Sequence, residues 1–141
     1  MFLMSRNLLF FLLAFVFATS CSRDSDPEQI AERFLASYLD CDFSRATKLA
    51  TEDMRDAITW RASNLTQADL DVLNAREMPV EVEVDDVESF ADSCVVTLKA
   101  SNALLADSIG STARVGEARF RMILRKGKGS NWKVATLVPI S

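Results

Sequence analysis

The residues of this chain whose types and spacing bear on chemistry are few: three cysteines, one run of carboxylates, one lysine-glycine run and two tryptophans. No histidine occurs among its 141 residues, which removes the commonest general base, the commonest metal ligand and every histidine-containing triad. Cys41 and Cys94 lie in no CxxC pattern, so thiol redox catalysis is not indicated. The carboxylates Asp85, Asp86, Glu88 and Asp92 crowd one segment, but their spacing is not that of an EF-hand loop. A solvated hairpin accounts for them, and no metal is expected. As an acid/base pair for sugar hydrolysis the same residues want an enclosed cleft and aromatic platforms. Lys126-Gly127-Lys128-Gly129 has no P-loop register and precedes an alternating apolar segment, so it reads as a hairpin tip rather than a phosphate cradle. No cofactor is implied.

These groups must be positioned by a small amount of chain. Hydrophobic residues make up 49% of it and charged residues 26%, the proportions of one globular domain with one core. Glycine and proline are too scarce for a low-complexity or collagen-like chain.

At the N-terminus a single arginine, Arg6, precedes an unbroken apolar run from Leu8 to Ala18. Eleven residues are too few to cross a bilayer and suit a cleaved export signal. The segment Phe17-Ala18-Thr19-Ser20-Cys21 resembles a bacterial lipobox, with Ala18 where that pattern usually has leucine. The resemblance implies removal of residues 1–20, a diacylglyceryl group on Cys21, a polar tether over 21–27 and one domain over 28–141. It places the protein in the cell envelope, held to a membrane by its lipid. The outer membrane is the expected address, on its periplasmic or surface face.

Export permits a disulfide, and two readings stand open for Cys41 and Cys94. One is a bridge closing about 54 residues, which in the chain-entropy model stabilises by roughly 4 kcal/mol. The other is two separate thiols that pack as small apolar residues.

The mature chain, without Arg6, stands one unit below the −4 of the full sequence. Such an acidic protein has no use for nucleic acid. Residues 24–107 carry 19 acids against 7 bases, whereas residues 108–141 carry 1 acid against 7 bases. Opposite charges are therefore expected to compensate across a sheet surface, Glu81 and Glu83 against Arg119, Arg121 and Arg125.

Periodicity supplies the elements. Asp26-Pro27-Glu28-Gln29 reads as a helix start, followed by an apolar face at Ile30, Phe34 and Tyr38 beside Ala31, Leu35 and Leu39. Asp42 caps a short second helix. Thr51 and Thr66 cap two more, the first carrying Met54, Ala57, Ile58 and Trp60 and the second Leu70 and Leu73. At Pro79 the period falls to two, with Val80, Val82 and Val84 facing one way, and the parity change at Val87 predicts a bulge near Asp85-Asp86. Cys94, Val96, Leu98 and Ala100 predict the inner face of a second strand. Ala118, Phe120, Met122 and Leu124 predict that of a third, and Trp132, Val134, Thr136 and Val138 that of a fourth. The fold class is α+β, N-terminal helices packed on a curved antiparallel sheet of about four strands. Phe34, Tyr38, Leu98, Phe120 and Trp132 are expected to share its core.

Ala31-Glu32-Arg33-Phe34-Leu35, then Leu39-Asp40-Cys41-Asp42-Phe43-Ser44-Arg45-Ala46 with Leu49, resemble the opening helices of small bacterial lipoproteins of the nuclear-transport-factor-like, or SnoaL-like, cone fold. Trp132-Lys133-Val134 resembles their closing strand, so the likeness spans roughly residues 27–138. It implies a cone with a pocket, and Tyr38, Trp60, Phe120 and Trp132 are its candidate lining. Enzymatic members generally place an aspartate, and often a histidine, inside the cone. Two functions follow: a noncatalytic domain that binds a protein or small-molecule ligand, or a histidine-free enzyme using Asp or Glu as general acid/base.

Overall fold

The computed structural model describes residues 26–106, 111 and 113–140. The export signal over 1–20, Cys21 and the tether up to residue 25 lie outside the described residues. Four helices precede four strands: α1 (Pro27–Leu39), α2 (Phe43–Lys48), α3 (Glu52–Ser63), α4 (Gln67–Ala75), β1 (Glu81–Ser89), β2 (Ser93–Leu105), β3 (Arg114–Lys126) and β4 (Trp132–Ile140). The strands form one antiparallel sheet in the order β1-β2-β3-β4, so the fold is α+β as the periodicity requires.

Each helix begins where a side chain satisfies its orphan backbone N–H groups. Asp26 accepts from the Glu28 N–H, Asp42 from Arg45, Thr51 from Met54 and Thr66 from Asp69. Only α4 closes the full capping box, in which the Asp69 carboxylate accepts in return from the Thr66 N–H at 2.9 Å. Such caps contribute about 1 kcal/mol each, and they fix where α3 and α4 change direction.

One face of the sheet is buried under α1. Ile30, Ala31, Phe34, Leu35 and Leu39 pack against Cys94, Val96, Leu98, Phe120, Met122 and Leu124, with Met54 and Ile58 of α3 joining from the side. Phe34, Leu98 and Met122 are wholly excluded from solvent, and Tyr38 and Trp132 flank this core half-buried. At roughly 1.5–3 kcal/mol per large apolar side chain buried, this contact is the main favourable term of the fold. A smaller cluster of Leu73, Leu104 and Ala113 seats α4 on the far end of β2, with Cys41 and Leu70 beside it.

Three register shifts re-aim side chains. The first, between Val84 and Asp86, is the bulge that the parity of Val87 predicts. The second lies between Ala100 and Ala103 of β2, where Asn102 takes φ 58°. The third falls opposite Ile123 and Leu124, whose partners Thr136 and Val134 leave Ala135 without an opposite residue. Strict alternation along β4 therefore fails after Val134: Leu137, not Thr136 or Val138, reaches the core, and Val138 is exposed.

The charge pairing across the outer face is also rearranged. Because β2 lies between β1 and β3, the arginines of β3 do not sit beside Glu81 and Glu83. Arg119 instead reaches across β2 to Asp85 in the bulge at 3.4 Å, and Lys99 of β2 meets Glu117 of β3 at 3.8 Å.

Candidate functional site

Helix α1 lies across the buried face of the sheet, and its two ends meet different surroundings. At its start, Asp26 and Glu28 lie near enough to Cys94 for their charges to act on its thiol. At its end, Asp40 forms an ion pair with Arg76, whose other nitrogen donates to the Asn102 carbonyl at 3.3 Å. The left-handed bulge at Asn102 presents that carbonyl, while the Asn102 amide donates to the Pro79 carbonyl at 3.3 Å. This clamp ties the end of α1, the link after α4 and the bulge of β2 together.

Against the clamp stands the most polar side-chain group of the inner layer. Tyr38, the penultimate residue of α1, stacks on Phe34 with ring centroids 5.8 Å apart and meets the edge of Phe43 at 6.2 Å. The Arg61 guanidinium, from the last turn of α3, lies over the Tyr38 ring with its central carbon 5.4 Å from the centroid. Arg61 Nε is buried, and it has no hydrogen-bond partner among the described residues. An unpaired buried donor of this kind costs about 1–3 kcal/mol, more than a cation–π contact returns at an exposed site. Cys41, at φ 62° in the turn after α1, and Asp69, on the first turn of α4, complete the electrostatic neighbourhood of Arg61.

The titration directions in this cluster follow from burial and from the neighbouring charges. Burial pushes the Tyr38 hydroxyl above its usual value, with Arg61 opposing and Cys41 reinforcing. Burial likewise raises the Cys41 thiol, against Arg61 and Arg76 and with Asp40 and Asp69. Both groups thus keep their protons at neutral pH, so Tyr38 is a hydrogen-bond donor and Cys41 a thiol rather than a nucleophilic thiolate. Asp69 is held below the usual carboxylate range, first by the Thr66 backbone N–H and then by the Thr66 hydroxyl. It is an ionised cap.

The four candidate pocket residues are not brought together. Tyr38 belongs to the Arg61 cluster. Trp60 is 57% exposed on the outer side of α3, because its neighbour Arg61 takes the inward position. Phe120 is buried mid-sheet opposite Leu98, and Trp132 sits at the other end of the sheet, beneath the Lys126 ammonium at 5.2 Å from its ring centroid. Cys41 and Cys94 are both free thiols and sit at opposite ends of α1. Thirteen helical residues span about 20 Å, whereas a bridge needs Cα atoms within about 7 Å, so of the two cysteine readings this structure takes the unbridged one. Among the described residues, no three His, Cys, Asp or Glu side chains converge as metal ligands, the carboxylates of β1 included.

The sequence reading missed Arg61, although it left a trace. Met54, Ile58 and Arg61 stand at i, i+4 and i+7, one inward stripe of α3 whose third place holds a charge.

No family model matches the sequence, and no curated protein matches it. Among solved structures, the chain is similar to an "Ntf2 like protein involved in plasmid conjugation", with a TM-score of 0.40 and 13% identity over 80% of this chain and 47% of that one. The chain thus spans about half the length of that protein. A likeness of this size carries no weight for function, and the α+β class rests on the helices and strands themselves.

Proposed function

We propose that this protein is a lipid-anchored, noncatalytic binding domain of the bacterial cell envelope, whose ligand is a small molecule bearing a carboxylate or phosphate group held at Arg61 and Tyr38. The observation that carries the reading is the buried, unpaired Nε of Arg61. Native interiors pair their buried donors, so an unpaired guanidinium nitrogen beside a protonated phenol favours an acceptor with anionic oxygens. An anionic oxygen accepting from both Arg61 and Tyr38 would satisfy it, with the Tyr38–Phe34–Phe43 aromatic group as its apolar floor.

The lipobox-like segment ending at Cys21 supports the anchor, and the acidic chain disfavours nucleic acid as partner. The alternative, a histidine-free enzyme working through Asp or Glu as general acid or base, would be served by a carboxyl whose proton affinity is raised towards neutrality. Asp69, the carboxylate coupled to both Arg61 and Cys41, is shifted the opposite way. No observation favours the second reading.

The test is an NMR titration of the Arg61 Nε–H resonance with inorganic phosphate and with acetate. A saturable shift of that resonance, shared by the Tyr38 backbone amide, is expected; it should weaken in Tyr38→Phe, and the residue-38 amide should no longer respond in Arg61→Gln. Shifts that rise linearly, or that survive in Tyr38→Phe undiminished, would remove Tyr38 from the site and leave Arg61 as a surface charge.

A further inference from the structure

The end of the domain opposite Arg61 has a composition of its own. There the turn between β1 and β2 brings Phe90 to the surface, 58% exposed, with its N–H donating to the Ser93 carbonyl at 2.9 Å. The Lys126 N–H donates to the Asp92 carbonyl at 3.1 Å, which fixes this turn beside the tip of the β3–β4 hairpin. The hairpin tip turns through Gly129 at φ 80° and carries Arg125, Lys126 and Lys128, all exposed. Trp132 begins β4 under the Lys126 ammonium. Asp92 is the one acid of these two turns, and the acids Asp26 and Glu28 belong to the helix layer behind them.

The helix layer gives this end its meaning. Asp26, where α1 begins, sits at the same end of the sheet as Cys94 and hence as both turns. Four residues lie between Cys21 and Asp26, and the five Cα-to-Cα steps across them reach at most about 17 Å. A lipid on Cys21 would therefore hold the hairpin end nearer the headgroups than the Arg61 end.

We infer that the two turns form a bilayer-docking surface, Phe90 entering the headgroup region while Arg125, Lys126 and Lys128 meet anionic phospholipid and Trp132 lies at the interface. An aromatic side chain flanked by basic groups suits that boundary, where apolar bodies bury and charged tips stay wet. The inference rests on the anchor at Cys21 and is independent of the Arg61 ligand.

The two tryptophans test it in the full lipidated chain, reconstituted into vesicles of phosphatidylethanolamine and phosphatidylglycerol brominated high on the acyl chains. In Trp60→Phe the emission comes from Trp132 alone, and strong quenching by the bromolipid is expected. The wild-type excess, due to Trp60 higher on α3, should be unquenched. Replacing Phe90 by Ser together with Lys126→Glu and Lys128→Glu should abolish the quenching while the protein stays in the vesicle fraction. Trp132 left unquenched in vesicle-bound protein overturns the docking surface and spares the anchor. Protein recovered in the soluble fraction overturns the anchor, and the docking surface with it.

Discussion

Arg61 and Tyr38 hold each other without a hydrogen bond: the guanidinium carbon stands 5.4 Å above the phenol ring, while the Arg61 Nε, buried, has no partner among the described residues. The two magnitudes oppose, about 0.5–1 kcal/mol from the cation–π contact against about 1–3 kcal/mol for the unpaired donor. Arg61→Met keeps the packing stem and removes the orphan. Its urea midpoint should match or exceed that of the wild type by up to about 1 kcal/mol, with the phosphate response gone. A loss above about 2 kcal/mol would show that Arg61 is structural and already satisfied.

Stability should fall on the alkaline side. Tyr38 and Cys41 both have raised folded-state values, so the unfolded chain ionises first. Their contributions are complete below the unfolded values and are lost as pH climbs through the folded ones, beginning near pH 9 for the thiol. Denaturant midpoints of wild type and Cys41→Ser should therefore converge as pH is raised from 8 to about 10.5, the serine variant losing less. Parallel curves would remove Cys41 as a source of the slope. Asp69 acts at the other extreme: its value is lowered, so its contribution exists above the ordinary carboxylate range and goes as acid protonates the folded group.

Phe120 is 7% exposed and lies beside Leu98 on the sheet face that α1 covers. Truncation to Ala should cost about 3–5 kcal/mol, enough to unfold so small a domain at moderate temperature. A melt within a degree or two of wild type would mean the core had been assigned to the wrong strand face.

Arg121 lies on the outer face, opposite Thr97 and Val138 rather than any acid. Arg121→Glu is expected to change the unfolding free energy by well under about 1 kcal/mol, as substitutions of exposed charges do. A larger change, removed by salt, would reveal long-range coupling to the acids of β1.

Cys21→Ser should abolish incorporation of labelled fatty acid and leave uncleaved or soluble protein. Membrane-bound, normally processed Cys21→Ser protein would refute lipidation.

The elements were legible because burial imposes a period, and the bulge at Asp85 was legible because Val87 changed parity. The bulge at Ala135 left no such trace, since Trp132, Val134, Thr136 and Val138 continue the period of two past the point where the backbone breaks it. The site was hidden for another reason. Trp60 looked like pocket material by residue type, but Arg61 next to it occupies the inward stripe, and only the meeting of α1 with α3 makes that charge significant. Cys41 and Cys94 could be counted from sequence, whereas the length of the helix that separates them follows only from where α1 starts and stops.

An open sheet has two borders, and this one guards both. Along β1, Glu81, Glu83, Asp85, Asp86 and Glu88 charge the border heavily enough to repel another copy of itself. Along β4, the link between α2 and α3 occupies the border: the Val134 N–H donates to the Leu49 carbonyl at 2.8 Å, and the Val134 carbonyl accepts from Thr51 at 2.9 Å. Pro139 then removes one donor farther along. Molecules crowded into two dimensions collide edge-on far more often than in free solution. Were the domain tethered through Cys21 as proposed, these two borders would keep neighbours from stitching their sheets into one.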